Sequence, residues 1–131
     1  MWSGKGRVLS GARFLTGSLG LACLVLLSCG SAGPGIEIRV GRAGTDAPNA
    51  FCEDFRLTAA QVRSFFDRAI VMTAGEIHDS FDWLPCWVDG EIVEGGTIRT
   101  WRIRPTGIAE VRGPDGVVVL YGCKNCEDIF R

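Results

Sequence analysis

The chain has 131 residues, which is the usual size of one domain. Hydrophobic residues make up 47% of it, enough for a packed core, so the composition excludes general disorder. The formal net charge is −1, and the part beyond residue 28 carries 11 basic and 15 acidic side chains. A mildly acidic domain lacks the basic surface that replaces phosphate counterions, so we expect no nucleic-acid partner.

The amino-terminal segment is first positively charged and then apolar. Lys5, Arg7 and Arg13 precede an apolar run over residues 14–27. As a helix this run spans about 21 Å, short of the roughly 30 Å hydrocarbon core of a bilayer. This order is typical of an export signal. The following residues "LLSC", at 26–29, resemble the lipobox of bacterial lipoproteins. That resemblance implies cleavage after residue 28 and a lipid on Cys29.

The lipobox resemblance also implies how the chain is divided and where it resides. We expect a signal peptide over 1–28, a flexible tether over 29–35 and a single domain over 36–131. Several acyl chains make attachment durable, so a membrane is the expected partner. Gly30 stands where an Asp retains many lipoproteins at the inner membrane, which favours the outer membrane. Plain secretion and a retained, uncleaved anchor stay as alternatives.

Four further cysteines, Cys52, Cys86, Cys123 and Cys126, lie in the expected domain. An even number in an exported domain indicates two disulfides, and four cysteines allow three pairings. We favour Cys52–Cys86 together with Cys123–Cys126. The first bond would link the segment before a predicted helix to the first strand after it.

The C-x-x-C spacing of Cys123 and Cys126 allows two other hypotheses. A redox-active pair normally lies at a helix N-terminus, but a strand-like run over 117–121 comes before this one. A four-cysteine zinc site needs a second closely spaced pair, and Cys52 and Cys86 stand far apart. The spacing therefore favours a structural disulfide, and we expect neither a metal nor a cofactor.

Hydrophobic periodicity predicts an α+β fold. Residues 36–40 alternate as a half-buried strand does, and loop residues fill 41–49. Thr58 and Gln61 have the spacing of a capping box and predict a helix start. The apolar stripe of this helix is Val62, Phe65, Phe66, Ala69 and Ile70.

Strand-like runs follow, separated by short segments rich in Gly and Pro. They cover 86–93, 97–104, 108–112 and 117–121. Connections this short cannot hold crossover helices, so neighbouring strands must be antiparallel. We expect one amphipathic helix packed on a four- or five-stranded antiparallel meander.

One candidate site surrounds His78, the only histidine. Glu76, Asp79 and Asp82 lie close in sequence and suggest metal binding or acid–base chemistry. A second imidazole or a suitable nucleophile is missing from this stretch, and sequence proximity alone does not make a site. We therefore expect ordinary hydrogen bonding in a surface loop and no catalytic residue.

The run over 97–104 contains the candidate binding residues Trp101, Arg102 and Arg104. If Trp101 faces the core, strand geometry places the two arginines side by side on the outer face. There they could bind a phosphate or carboxylate of an envelope polymer or protein. The alternative is a solvated face on which the arginines pair with Glu91 and Glu110. Trp83, Trp87 and Phe81 are expected to be core residues.

A second resemblance rests on residues spread over the expected domain: Cys52, Phe55, Leu57, Thr58, Gln61, Val62, Phe65, Phe66, Pro85, Cys86, Gly90, Trp101 and Ile103. Their pattern resembles small exported bacterial proteins of no known activity. Together with the lipobox, it implies a lipid-anchored envelope protein with a non-enzymatic structural or protein-binding role. Two alternatives stay open. One is a ligand-binding or inhibitor module similar to the lipoproteins that block lysozymes, and the other is a thiol–disulfide oxidoreductase that uses Cys123 and Cys126.

Overall fold

The computed structural model describes residues 35–131, so the predicted signal segment and Cys29 lie outside the described residues. Within this range the chain forms two helices and one six-stranded antiparallel sheet, which confirms the predicted α+β class. The elements in chain order are β1 (Glu37–Thr45), α1 (Ala59–Arg68), β2 (Ile70–Met72), α2 (Ala74–Ser80), β3 (Cys86–Glu94), β4 (Thr97–Arg104), β5 (Ile108–Arg112) and β6 (Val118–Gly122).

The predicted meander is present as β3, β4, β5 and β6, each antiparallel to the next. Its boundaries lie within one residue of the expected runs. The β3–β4 turn is made by Gly95 and Gly96, both of which have positive φ angles. Only glycine adopts this conformation readily, which explains why the turn is made of these two residues.

The edge strand β1 is longer than expected, because it continues through residues 41–45, which we predicted as loop. It pairs with β3 from Glu37 opposite Val93 to Thr45 opposite Cys86, with a register shift between Val40 and Ala43. Gly44 pairs with Trp87 in this ladder, and the Trp87 ring fills the space that a Cβ at Gly44 would need. Glycine, a loop signal in sequence, is here a site of close packing.

The sheet order is β1-β3-β4-β5-β6-β2, and β2 pairs with β6 at the second edge. The expected four or five strands are therefore six. A three-residue strand is too short to show an alternating pattern, which is why β2 was missed. Ile70 begins β2 and is exposed, so the apolar stripe of the helix ends before it.

The first helix begins as the capping box predicts. Thr58 Oγ1 accepts from the Gln61 amide N–H, and the Gln61 side chain accepts from the Thr58 amide. Val62 and Phe65 of α1 are completely buried in the core against the sheet. The helix therefore covers one face of the sheet, as expected.

The second helix was not expected. Thr73 and Glu76 form another capping box that starts α2. Seven residues are too few to give an apolar stripe, so periodicity does not reveal this helix. After it, the Phe81 ring packs against Gly122 on the sheet face opposite α1. His78 lies exposed in the last turn of α2 and not in a loop.

Both favoured disulfides are present. Cys52 is bonded to Cys86 with a Cα–Cα distance of 5.3 Å, and Cys123 to Cys126 with one of 5.7 Å. Two disulfides indicate an oxidising, exported environment. No helix within residues 35–131 has the length and apolar character needed to cross a bilayer.

Candidate functional site

Within residues 35–131, the sheet face opposite α1 is covered only at one end. There Arg104 lies under the segment that contains Trp83 and Leu84. The rest of this face borders an open hollow of about 520 Å³. Charged and polar side chains of β1, β3, β4 and β5 line it: Arg39, Asp89, Thr100, Arg102, Glu110 and Arg112. We call this surface the open face.

Alternation along the strands places these groups together. Arg102 lies between Asp89 of β3 and Glu110 of β5 in the register of the sheet. Thr100 has Glu91 and Arg112 as its two neighbours. Side chains directly opposite on adjacent strands point to the same face, so the face carries charges of both signs.

Arg102 is held on three sides. Its guanidinium carbon lies 4.0 Å from the centroid of the Trp87 ring, a cation–π geometry. Its terminal nitrogens lie 3.8 Å from an Asp46 oxygen and 3.7 Å from an Asp89 oxygen. The side chain is about one-third exposed, so an incoming ligand can still reach it.

Glu110 and Arg112 make fewer polar contacts than Arg102. Arg112 donates to the Gly116 carbonyl at 3.2 Å. Among residues 35–131, Glu110 takes part in no ion pair and in no side-chain hydrogen bond, although it is half-buried. A partner that presents both a cationic and an anionic group would find one complementary charge on each of these two residues.

At the β1 side of the open face the charges already pair with each other. Arg39 Nε lies 2.8 Å from Glu37 and its Nη1 lies 3.5 Å from Glu91. The Arg39 hydrogen bond holds the pKa of Glu37 below its usual range. Glu37 and Arg39 are exposed and Glu91 is partly exposed, so these pairs contribute little to stability.

The outward position expected for Arg104 is wrong. It does share a sheet face with Arg102, but it is only 7% exposed. It donates to Asp46 and, at 3.0 Å, to the carbonyl of Leu84, and its guanidinium carbon is 5.1 Å from the Trp83 ring centroid. This end of the face is covered by the chain after α2, so Arg104 is a structural residue.

Asp46 is the acceptor that sequence analysis missed. It follows β1 in a segment predicted as loop, yet it accepts from Arg104 and, at 3.0 Å, from Trp87 Nε1. The hydrogen bond from Arg104 is the main cause that holds the pKa of Asp46 below its usual value. No local pattern marks such a residue, because its partners come from β3 and β4.

Trp101 lies on the other side of β4, in the core with α1, and is 1% exposed. Its ring is therefore not available to a partner. Trp83, expected in the core, is instead mostly exposed. Trp87 is intermediate and belongs to the Arg102 contact described above.

The other candidate chemistry does not converge on a site. His78 is exposed, and within residues 35–131 no three His, Cys, Asp or Glu side chains are placed to hold a metal ion. Cys123 and Cys126 are both buried, and Cys123 donates its amide to the Gly107 carbonyl at 2.8 Å. Reactive cysteines are partly exposed, so this burial favours a structural role for the bond.

Comparison with known proteins adds no family. No family model matches the chain, and neither a curated protein nor a solved structure does.

Proposed function

We propose that this protein is a lipid-anchored component of a bacterial envelope that binds a partner protein through its open face and catalyses no reaction. The observation that carries the proposal is the open face itself. It is a hollow of about 520 Å³ lined by charges of both signs, in a domain cross-linked by two disulfides.

The site of lipidation in this proposal is Cys29. An apolar run too short to span a bilayer, followed by "LLSC", supports processing at residue 28 and acylation of the cysteine. The disulfides agree with export, because such bonds persist only in oxidising compartments. Gly30 supports the outer membrane as the destination.

The binding role rests on the chemistry of the open face. Arg102, Glu110 and Arg112 offer donors and an acceptor in a fixed array on rigid strands. Polar surfaces with both signs of charge select partners by complementarity more than by raw affinity. A folded or peptide segment of an envelope protein that presents both an acid and a base fits this array.

Lipidation is tested by metabolic labelling with a fatty-acid analogue and by membrane fractionation. The full chain should incorporate label and sediment with membranes. Cys29→Ala should do neither and should accumulate as precursor or soluble protein. Unchanged size and unchanged partitioning of Cys29→Ala would contradict the anchor.

Binding is tested by cross-linking in cells that make the tagged full chain. A specific partner should be lost with Glu110→Lys, which reverses the charge at the centre of the open face. It should be kept with Glu127→Lys, an exposed control outside this face. Capture that is equal for both variants would exclude the open face as the binding surface. Glu110→Lys must also melt within a few degrees of the native chain.

A further inference from the structure

The outer edge of β1 has a sequence that is complementary to itself. Residues 35–41 read "GIEIRVG", and Ile38 stands at their centre. If two copies pair antiparallel about Ile38, each Glu37 stands opposite an Arg39 and each Ile36 opposite a Val40. Ile38 meets its own copy, and Gly35 meets Gly41.

This edge is available for pairing. β1 is the first strand of the sheet order, and within residues 35–131 no strand pairs with its outer side. An exposed edge presents unpaired N–H and C=O groups and acts as a template for another strand. The Arg63 side chain donates to the Ile36 carbonyl at 2.6 Å and must move aside for the backbone pairing to include residue 36.

The side chains of β1 are divided between the two faces in the way that pairing needs. Glu37 and Arg39 form an ion pair, which places them on the same face. Ile38 lies on the other face and packs against the core cluster. Its neighbours Ile36 and Val40 remain 43% and 39% exposed. Pairing would remove part of this apolar surface from water.

Charge selects one register. Centring the pair on Arg39 would place it against its own copy, and centring it on Glu37 would do the same with two carboxylates. If the two-fold axis of the pair lay between two residues, next to Ile38, charged side chains would stand opposite apolar ones. Only the register about Ile38 pairs opposite charges and apolar side chains at the same time. The register shift after Val40 ends this regular stretch.

We propose that two copies of this protein associate through their β1 edges, antiparallel about Ile38, into one continuous sheet. The pairing leaves the open face of each copy free. It uses the outer edge of β1, whereas the partner proposed above binds Arg102, Glu110 and Arg112 of β4 and β5; Arg39, which also borders the open face, is the one side chain named in both.

Charge reversal in the full, detergent-extracted chain tests the proposal. Glu37→Arg makes both positions positive and Arg39→Glu makes both negative, so either variant alone replaces two attractive pairs with two repulsive ones. The dimer dissociation constant of each variant should be at least about tenfold higher than that of the native chain. Sedimentation equilibrium in a density-matched detergent measures it. The exposed control Glu53→Arg should behave as the native chain.

Two complementation experiments separate pairing from damage to the fold. The double variant Glu37→Arg/Arg39→Glu restores both cross-strand pairs and should dimerise as the native chain does. A mixture of the two single variants, carrying different tags, should form heterodimers that co-purify through either tag. A monomeric native chain, or single variants that still dimerise with themselves, would overturn the proposal. Failure of both complementation experiments would do so as well.

Discussion

Asp46 and Arg104 are 58 positions apart in the chain and form an ion pair that links the end of β1 to the end of β4. Arg104 is buried, whereas the Asp46 side chain is about one-third exposed. The two residues therefore differ in burial, and replacing one or the other should reduce the stability of the protein by different amounts.

We predict that Asp46→Ala is more destabilising than Arg104→Met. Loss of Asp46 leaves a buried guanidinium with the Leu84 carbonyl and the Trp83 ring as its contacts. The cost should be about 2–3 kcal/mol, below the roughly 3–5 kcal/mol of a fully buried pair because solvent screens Asp46. Loss of Arg104 leaves Asp46 with Trp87 and Arg102 and should cost about 1 kcal/mol.

Urea unfolding of the two variants and of the double variant measures these costs. The double variant should lose less than the sum of the single losses, because the interaction is counted in both. Additive losses would mean that the two residues do not interact in solution. Asp54→Ala, at an exposed position, serves as the control.

The same carboxylate should make stability depend on pH. The pKa of Asp46 is lowered in the folded protein, so its contribution is complete above the unfolded value of about 3.9 and is lost as pH falls through the folded pKa. The difference in unfolding free energy between the native chain and Asp46→Asn should therefore shrink below about pH 4. A difference that stays constant from pH 7 to pH 2.5 would contradict this assignment.

The two disulfides should contribute unequally to stability. Cys52–Cys86 closes a separation of 34 residues and Cys123–Cys126 one of 3. Loop-closure entropy gives about 4 kcal/mol for the long loop and about 1.5 for the short one. The paired alanine variant Cys52→Ala/Cys86→Ala should thus lower the melting temperature more than Cys123→Ala/Cys126→Ala. The opposite order in calorimetry would show that core packing of the short pair outweighs chain entropy.

Two glycines offer a matched test of packing. A Cβ at Gly90 of β3 would overlap the Trp101 ring and the Arg39 carbonyl, so Gly90→Ala should destabilise by about 1–3 kcal/mol. A Cβ at Gly75 of α2 would meet only Thr73 Oγ1, at 4.0 Å, and Gly75→Ala should stabilise by about 0.5–1 kcal/mol. Chemical denaturation checks both signs, and equal effects would contradict the close packing at Gly90.

Sequence patterns predicted the parts of the fold that depend on neighbours in the chain. The four meander strands, their antiparallel pairing and the capping box at Thr58 all follow from alternation, turn residues and a three-residue spacing. The second half of β1, the short β2 and α2 did not follow. The second half of β1 is too rich in glycine and β2 is too short to show a period, and both form because β3 and β6 pair with them. The start of α2 carries a local signal, the Thr73–Glu76 capping box, but seven residues give no apolar stripe beside it.

In the candidate site too, some features follow from neighbouring residues and others depend on distant parts of the chain. That Arg102 and Arg104 share a face is a local consequence of strand geometry. That one stays within reach of solvent while the other is buried depends on the segment after α2, which folds back over one end of the sheet. Asp46 could not have been found from its neighbours, because all its partners are distant in sequence.

By itself, the sequence determined the start of α1, the order of the meander strands and the self-complementary pattern of residues 35–41, since each depends on residue type and spacing alone. Only the tertiary structure decided which charges are buried, which edge is left unpaired and where the open face lies. The physical reason is that burial and pairing are properties of surfaces brought together from distant parts of the chain, and a linear pattern does not contain those distances.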